Sequence, residues 1–227
     1  MESNHFISVT SLLCEPSRAK ILWNLLDGRA YTASELALTA DLSASSVSNH
    51  LSKLLKGNIV KVDVQGRHRY FSFANAEVAY VVESLASLAN KSSATTLDEP
   101  PKIGVRYCRT CYDHLAGYVG VKMTDTLVER GFLIPSENIY SVTETGWKWL
   151  SLLDISKVSF VESRRPLTRQ CLDWSERRVH LAGHLGAVLL EKMLQKNWLK
   201  KVEFSREVII TSKGSKNLYN SLGVLLK

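Results

Sequence analysis

The stretch SASSVSNHLSKLLKGNIVKVDVQGRHRYFSF, residues 43–73, decides the fold. Ser43 suits a helix N-cap, because its hydroxyl can accept from a free amide of the first turn. From Ala44 onward Val47, Leu51 and Leu54 with Leu55 recur at helical spacing, and Gly57 offers a stop. Ser45, Ser46, Ser48, Asn49, His50 and Lys53 fall between them, so the other side of this helix is polar. Beyond Gly57 the apolar period changes from that of a helix to alternation. NIVKVDV and RHRYFSF read as two strands around a tight turn at Gln65-Gly66, a β-hairpin.

Working outward, PSRAKILWNLLD at 16–27 places Ile21, Leu22, Leu25 and Leu26 on one helical face. Pro16 fits its first turn and Gly28 its end. Thr32 can cap a short helix, ASELALTA, with Glu35 three residues on as a capping box. A turn at Asp41-Leu42 then leads to Ser43. After the hairpin, AEVAYVVESLASLAN reads as a helix with Val78, Val81, Val82, Leu85 and Leu88 on its apolar face. Helix, helix, turn, helix, hairpin is the order of a winged helix-turn-helix. In that fold the second helix of the turn motif enters the major groove of DNA. Ser45, Ser46, Ser48, Asn49 and His50 can bond base edges or phosphates, and Lys53 can neutralise a phosphate. The wing, Gly66-Arg67-His68-Arg69-Tyr70, is basic and suits the neighbouring phosphates or minor groove.

These residues resemble the ArsR/SmtB family of bacterial metal- and effector-responsive repressors over roughly residues 8–90. The specific part is SVSNHLSKLLKGNIV followed by GRHRYFSF. The resemblance implies a homodimer, paired through its terminal helices, that binds a palindromic double-stranded DNA operator and releases it when an effector binds. It also exposes two departures. Members that carry paired cysteines do so in the helix before the recognition helix, where this chain has ELALTA and no thiol. Others use histidine and carboxylate ligands in the last helix of the domain, which here contains no histidine. Cys14 stands alone near the first helix, and a lone cysteine of this kind is expected to pack as a small hydrophobe, with a place near the dimer seam left open.

The chain has 227 residues, and 45% are hydrophobic, enough for a packed core. Lys and Arg number 29 against 22 Asp and Glu, a net charge of +7, which favours an anionic partner. The charge is unevenly spread: residues 1–93 carry about +1 and residues 101–227 about +8. No run of 18 or more apolar residues occurs, so no membrane-spanning helix is expected. The N-terminus, MESNHFISVTSLLCEP, lacks the basic start and apolar stretch of a signal peptide, so a cytoplasmic location is expected. Between the halves, NKSSATTLDEPP at 90–101 is rich in Ser, Thr, Pro and acids and reads as a linker.

The C-terminal half is a duplication. HLAGYVGVKMTDTLVERGFL at 114–133 aligns with HLAGHLGAVLLEKMLQKNWL at 180–199, sharing HLAGxxG and an aromatic-Leu ending. The copies continue into NIYSVTETGWKWL and REVIITSKGSKNL, each read as a strand, a Thr-x-x-Gly turn (Thr143 to Gly146, Thr211 to Gly214) and a helix. Each unit is thus expected to be a long helix, a turn, a strand and a short helix. Gly117, Gly120, Gly183 and Gly186 are expected where a neighbour approaches closely.

The same half holds the candidate chemistry. Cys108-Arg-Thr-Cys111-Tyr-Asp113-His114 precedes one repeat and Cys171-Leu-Asp173 through His180 precedes the other. Cys108, Cys111 and Cys171 with His114 and His180 form a candidate ligand set for zinc or another thiophilic metal, because thiolates and imidazoles suit such ions in a tetrahedral shell. Three readings stay open. The cysteines bind metal or act as thiol switches, with Arg106 and Arg109 lowering a thiol pKa. Alternatively they are buried small residues, the histidines bonding Asp113 or Asp173. In the third reading the histidines, His184 included, or the cysteines serve an organic or haem-type ligand. No nucleophile, base and oxyanion donor fall together, so catalysis is not expected.

The expected fold class is therefore mainly α with small β-hairpins, an α+β chain. It comprises an N-terminal winged helix-turn-helix at 1–90, a linker at 91–101, and a domain of two winged-helix-like repeats at 102–227 (about 106–153 and 169–225). The expected function is an effector-modulated, homodimeric DNA-binding regulator. A regulator of small organic or haem-type ligands, or an interaction protein with structural zinc, stays as the alternative.

Overall fold

The computed structural model of the chain describes residues 2–89, 103–161, 165–224 and 226. The expected linker at 91–101 lies outside them. The chain divides into two compact units, Met1–Ala86 and Ser87–Lys227.

The first unit opens with α1 (Glu2–Leu13) and α2 (Pro16–Leu25). Glu15 caps α2, its carboxylate accepting from the Ser17 and Arg18 amides. Arg18 in turn donates to the Ser11 and Leu12 carbonyls, satisfying orphan acceptors at the end of α1. Next come β1 (Tyr31–Thr32), α3 (Ala33–Ala40), α4 (Ala44–Lys56), β2 (Val60–Gln65), β3 (His68–Phe73) and α5 (Ala76–Ala89). Thr32 and Glu35 form the expected reciprocal capping box on α3. Asp41 leaves α3 in the left-handed conformation, and Ser43 caps α4 through the Ser46 amide. Ile21, Leu22, Leu25, Leu26, Leu36, Val47, Leu51, Leu54, Phe71 and Phe73 make the core. Leu55 lies at its half-buried edge.

The sheet order is β1-β3-β2, all antiparallel. Gln65 pairs with His68, so the hairpin loop is Gly66-Arg67, one residue beyond the expected Gln65-Gly66 turn. Gly66 has positive φ at the first loop position, which such two-residue loops demand. The shift puts Arg67 at the tip of the wing.

The second unit holds two copies of one pattern. The first is β4 (Arg109–Cys111), β5 (His114–Ala116), α6 (Gly117–Glu129), β6 (Leu133–Ser136), β7 (Ile139–Val142) and α7 (Glu144–Ser151). A 3-10 turn at Lys157–Phe160 follows. The second copy is β8 (Arg169–Leu172), β9 (Val179–Ala182), α8 (Gly183–Gln195), β10 (Leu199–Lys201), β11 (Val208–Ile210) and α9 (Ser212–Leu222). Each repeat is hairpin, helix, hairpin, helix. The sequence reading missed the leading hairpin and took the second for a single strand, because strands of three or four residues carry too little alternation to register.

Thr143 and Thr211 are N-caps, accepting from the Gly146 and Gly214 amides, rather than turn residues. A methyl group at Gly146 would overlap the Phe132 carbonyl, and one at Gly214 the Trp198 carbonyl. The glycines of HLAGxxG work the same way. Gly117 and Gly183 have positive φ, and a Cβ at Gly120 or Gly186 would stand 2.5 or 2.7 Å from the Leu115 or Leu181 carbonyl oxygen. The repeats share one core: Leu115, Val119, Met123 and Leu127 of the first lie in the same cluster as Leu181, Leu185, Leu189 and Met193 of the second. They also exchange faces, with α6 against β9 and α8 against β5. Among the described residues no helix is long and apolar enough to cross a membrane.

Candidate functional site

In the first unit α4 and the wing carry the sequence-derived candidates. Val47, Leu51 and Leu54 bury one face of α4, which turns Ser45, Ser48, Asn49 and Lys53 outward. Ser46 is half-buried. His50 departs from the expectation. Its ring is mostly covered and its Nδ1 lies 3.4 Å from a Glu15 carboxylate oxygen at the start of α2. That contact takes His50 off the exposed face. Arg67, His68 and Arg69 are all exposed on the wing, and the Arg69 guanidinium sits 5.6 Å from the Phe71 ring centroid. Cys14 is exposed, not the buried hydrophobe expected.

Two helices of this unit leave apolar side chains in the open. Phe6 and Ile7 on α1 are 68% and 60% exposed, and Val81 and Leu88 on α5 are 47% and 56% exposed. The apolar stripe read for α5 is therefore only partly buried within the chain, by Val82 and, partly, Val78.

In the second unit the two leading hairpins bring four side chains together. Cys111 pairs with His114 across the β4-β5 turn, and Cys171 pairs with His180 across β8-β9. The first turn is two residues, with Tyr112 in the left-handed conformation. The second hairpin runs one pair further, to Leu172 and Val179, and its loop is four residues longer, yet the same Cys-His register returns. The ligand atoms of Cys111, His114, Cys171 and His180 all lie within 4.8 Å of one another, and all four residues are buried. The two sulfurs are 3.8 Å apart and the two Nε2 atoms 3.1 Å apart.

A carboxylate stands behind each imidazole. Asp113 Oδ1 is 3.2 Å from His114 Nδ1, and Asp173 Oδ2 is 3.7 Å from His180 Nδ1. Arg165, which leads into the second repeat, holds Asp113 of the first with both terminal nitrogens. Arg109 of the first donates to Asp173 of the second at 2.8 Å and lies over the Trp174 ring. Asp173 also accepts from the Gly117 amide that opens α6, and from Ser175 and Glu176. Burial opposes its charge, but Arg109, His180 and these amides hold it well below the usual carboxylate range. For His114, burial opposes the charged form. The Cys111 sulfur and the Asp113 carboxylate outweigh it and push the ring up to about 9.

Cys108 is not part of this set. It lies in the shared apolar core, and burial pushes its thiol up despite the pull of Arg109. The expectation that the neighbouring arginines would lower it fails, because Arg109 is committed to Asp173 and desolvation is the larger effect. The Cys-x-x-Cys is thus no chelate: Cys111 points to the cluster and Cys108 to the core. His184 also lies elsewhere, its ring edge-on to Phe160 at 4.8 Å. Sequence reasoning missed Arg109 and Arg165 as partners of the two aspartates. Their only signal was proximity to Cys and His, which does not say which acid they face.

Three comparisons bear on identity. A helix-turn-helix domain family matches residues 13–63. The HTH-type transcriptional regulator YdfF of Bacillus subtilis, itself uncharacterized, is 42% identical over 207 residues, 91% of this chain and 92% of that protein. This chain belongs to the ArsR family of helix-turn-helix transcriptional regulators. The HTH-type transcriptional regulator CmtR of Mycobacterium tuberculosis is 35% identical over 88 residues, 39% of this chain and 71% of that protein. An alignment of 207 residues must enter both units, so this ArsR-family regulator shares its duplicated C-terminal unit with YdfF.

Proposed function

We propose that the chain is a homodimeric DNA-binding repressor whose C-terminal unit responds to an effector. One observation carries the DNA reading. The exposed side of α4 and the tip of the wing present Ser45, Ser48, Asn49, Lys53, Arg67, His68 and Arg69, with Ser46 beside them, on a unit whose overall charge is close to neutral. Such a surface makes phosphate and base-edge contacts from small polar and basic groups. Dimerisation is supported by the open apolar side chains of α1 and α5, which a second copy would cover. Two copies double the basic tips and place two recognition helices on a palindrome.

The effector reading rests on the buried cluster of Cys111, His114, Cys171 and His180, whose sulfurs and ring nitrogens face one another rather than the apolar core. A metal ion is the effector it fits best. The test is fluorescence anisotropy of the full chain on duplex DNA from its own upstream region. Binding is expected to weaken as salt rises, with log K falling linearly against log salt. Failure to bind duplex DNA at low salt overturns the reading.

A further inference from the structure

We propose that Cys111, His114, Cys171 and His180 form a closed tetrahedral site for one zinc-class divalent ion, built between the two repeats of the C-terminal unit. It deepens the effector reading, and its test is made without DNA, so the two can fail separately.

Distances carry the first part of the argument. With zinc–sulfur bonds of about 2.3 Å and zinc–nitrogen bonds of about 2.0–2.1 Å, a tetrahedron has a sulfur–sulfur edge of about 3.8 Å and a nitrogen–nitrogen edge of about 3.3 Å. The observed edges are 3.8 and 3.1 Å. A disulfide needs about 2.05 Å between sulfurs, so the pair is not bonded, and its spacing admits two ligands of one ion.

Hydrogen-bond bookkeeping carries the second. Each ring turns its Nδ1 toward an aspartate: His114 is hydrogen-bonded to Asp113 at 3.2 Å, and His180 faces Asp173 at 3.7 Å, close enough to favour the proton on that side but beyond a hydrogen bond. Both Nε2 atoms then present lone pairs to one another. At 3.1 Å they are spaced to share one proton or to bind one cation between them, and the two sulfurs beside them favour the cation. Two thiolates, two neutral imidazoles and a divalent cation sum to zero charge, which suits a site where all four ligands are buried.

The donor set names the ion class. Two sulfurs and two nitrogens exclude calcium and magnesium, which take oxygen, and suit zinc, cobalt or cadmium in tetrahedral geometry. Four protein ligands leave no open position for a reacting water, so the site holds its ion and does no hydrolysis. Its ligands come two from each repeat, so the ion joins hairpins that are distant in the chain. The aspartates behind the histidines are themselves gripped by arginines: Arg109 crosses from the first repeat to the second, and Arg165 leads from the second back to the first.

The experiment is a cobalt titration of the full-length, reduced, metal-free chain under anaerobic conditions, followed by absorbance. Expected are the intense visible bands of tetrahedral cobalt and a thiolate-to-cobalt charge-transfer band. Both should saturate at one ion per chain and vanish when zinc is added. Weak octahedral absorbance, no charge-transfer band, or saturation at any other ratio overturns the site, and this wild-type readout decides even where a variant fails to fold. In folded variants, Cys111→Ser and Cys171→Ser should each weaken the ion by more than about 100-fold. Asp113→Asn, which acts through His114, should weaken it about 10–100-fold. Cys108→Ser and Cys14→Ser should keep the wild-type spectrum. Loss of the charge-transfer band in Cys108→Ser with retention in Cys111→Ser would overturn the ligand assignment. A chain that binds cobalt as described but holds DNA equally with and without the ion keeps the site and loses the effector role.

Discussion

The two units place their chemistry on opposite sides of their surfaces. In the first, serines, Asn49, Lys53 and the wing arginines face water, and the side chains buried beneath α4 are the apolar Val47, Leu51 and Leu54. In the second, Arg109, Asp173, His114, His180, Cys111 and Cys171 are all buried. An exposed polar group has water for a partner until a ligand replaces it, so its removal alters binding and little else. A buried one must find its partner within the fold. The first unit can therefore be re-surfaced without unfolding, whereas the second is stabilised by the same groups that make its site.

That contrast is sharpest at Asp173, which accepts from Arg109, Ser175 and the Gly117 amide and stands behind His180. Asp173→Ala leaves the buried Arg109 charge without its carboxylate, with only the Val105 carbonyl, the Ser175 hydroxyl and the Trp174 ring beside it. We expect a loss of about 3–5 kcal/mol in urea denaturation, read in the second unit. The same carboxylate predicts a pH effect. Its folded pKa is depressed, so its stabilisation is present in full above the unfolded carboxylate value of about 4 and drains away as pH falls below it. The urea midpoint should fall on acidification through that range, and Asp173→Asn should remove that share of the dependence.

Gly214→Ala tests packing rather than charge, because a methyl there meets the Trp198 carbonyl, which is backbone and has little room to move. A loss of about 1–3 kcal/mol is expected by denaturation. Thr32→Ala in the first unit removes one half of a capping box and should cost about 1 kcal/mol. At the far end stands Arg67→Ala at the wing tip. Its stability should stay within about 0.5 kcal/mol of the parent. Its salt dependence of DNA binding should drop by about one phosphate contact. A large stability loss in Arg67→Ala, or none in Asp173→Ala, would erase the distinction between the units.

The difference also explains what could be read in advance. The caps at Thr32, Ser43 and Gly57, and the stripe Val47, Leu51, Leu54, are local signals, each contained within a few residues. The repeat was legible for the same reason, since HLAGxxG stands in one piece in each copy. The departures in the first unit are small: a hairpin turn one residue late, Cys14 exposed rather than packed, and His50 drawn to Glu15, a residue far behind it in the chain.

By itself the sequence determined the winged helix, the duplication and the residue types of a thiophilic site. Those follow from periodicity, capping chemistry and motif identity, which are short-range. Only the tertiary structure decided which residues meet. It put Cys111 in the cluster and Cys108 in the core, although they are three residues apart, because the end of a short strand turns one side chain toward the other repeat and the preceding segment turns the other inward. It returned His180 to the register of Cys171 across a longer loop. It paired Arg109 with Asp173 and Arg165 with Asp113, contacts of 64 and 52 residues' separation. Such pairings depend on how two repeats pack on one core, a global property that no local pattern encodes.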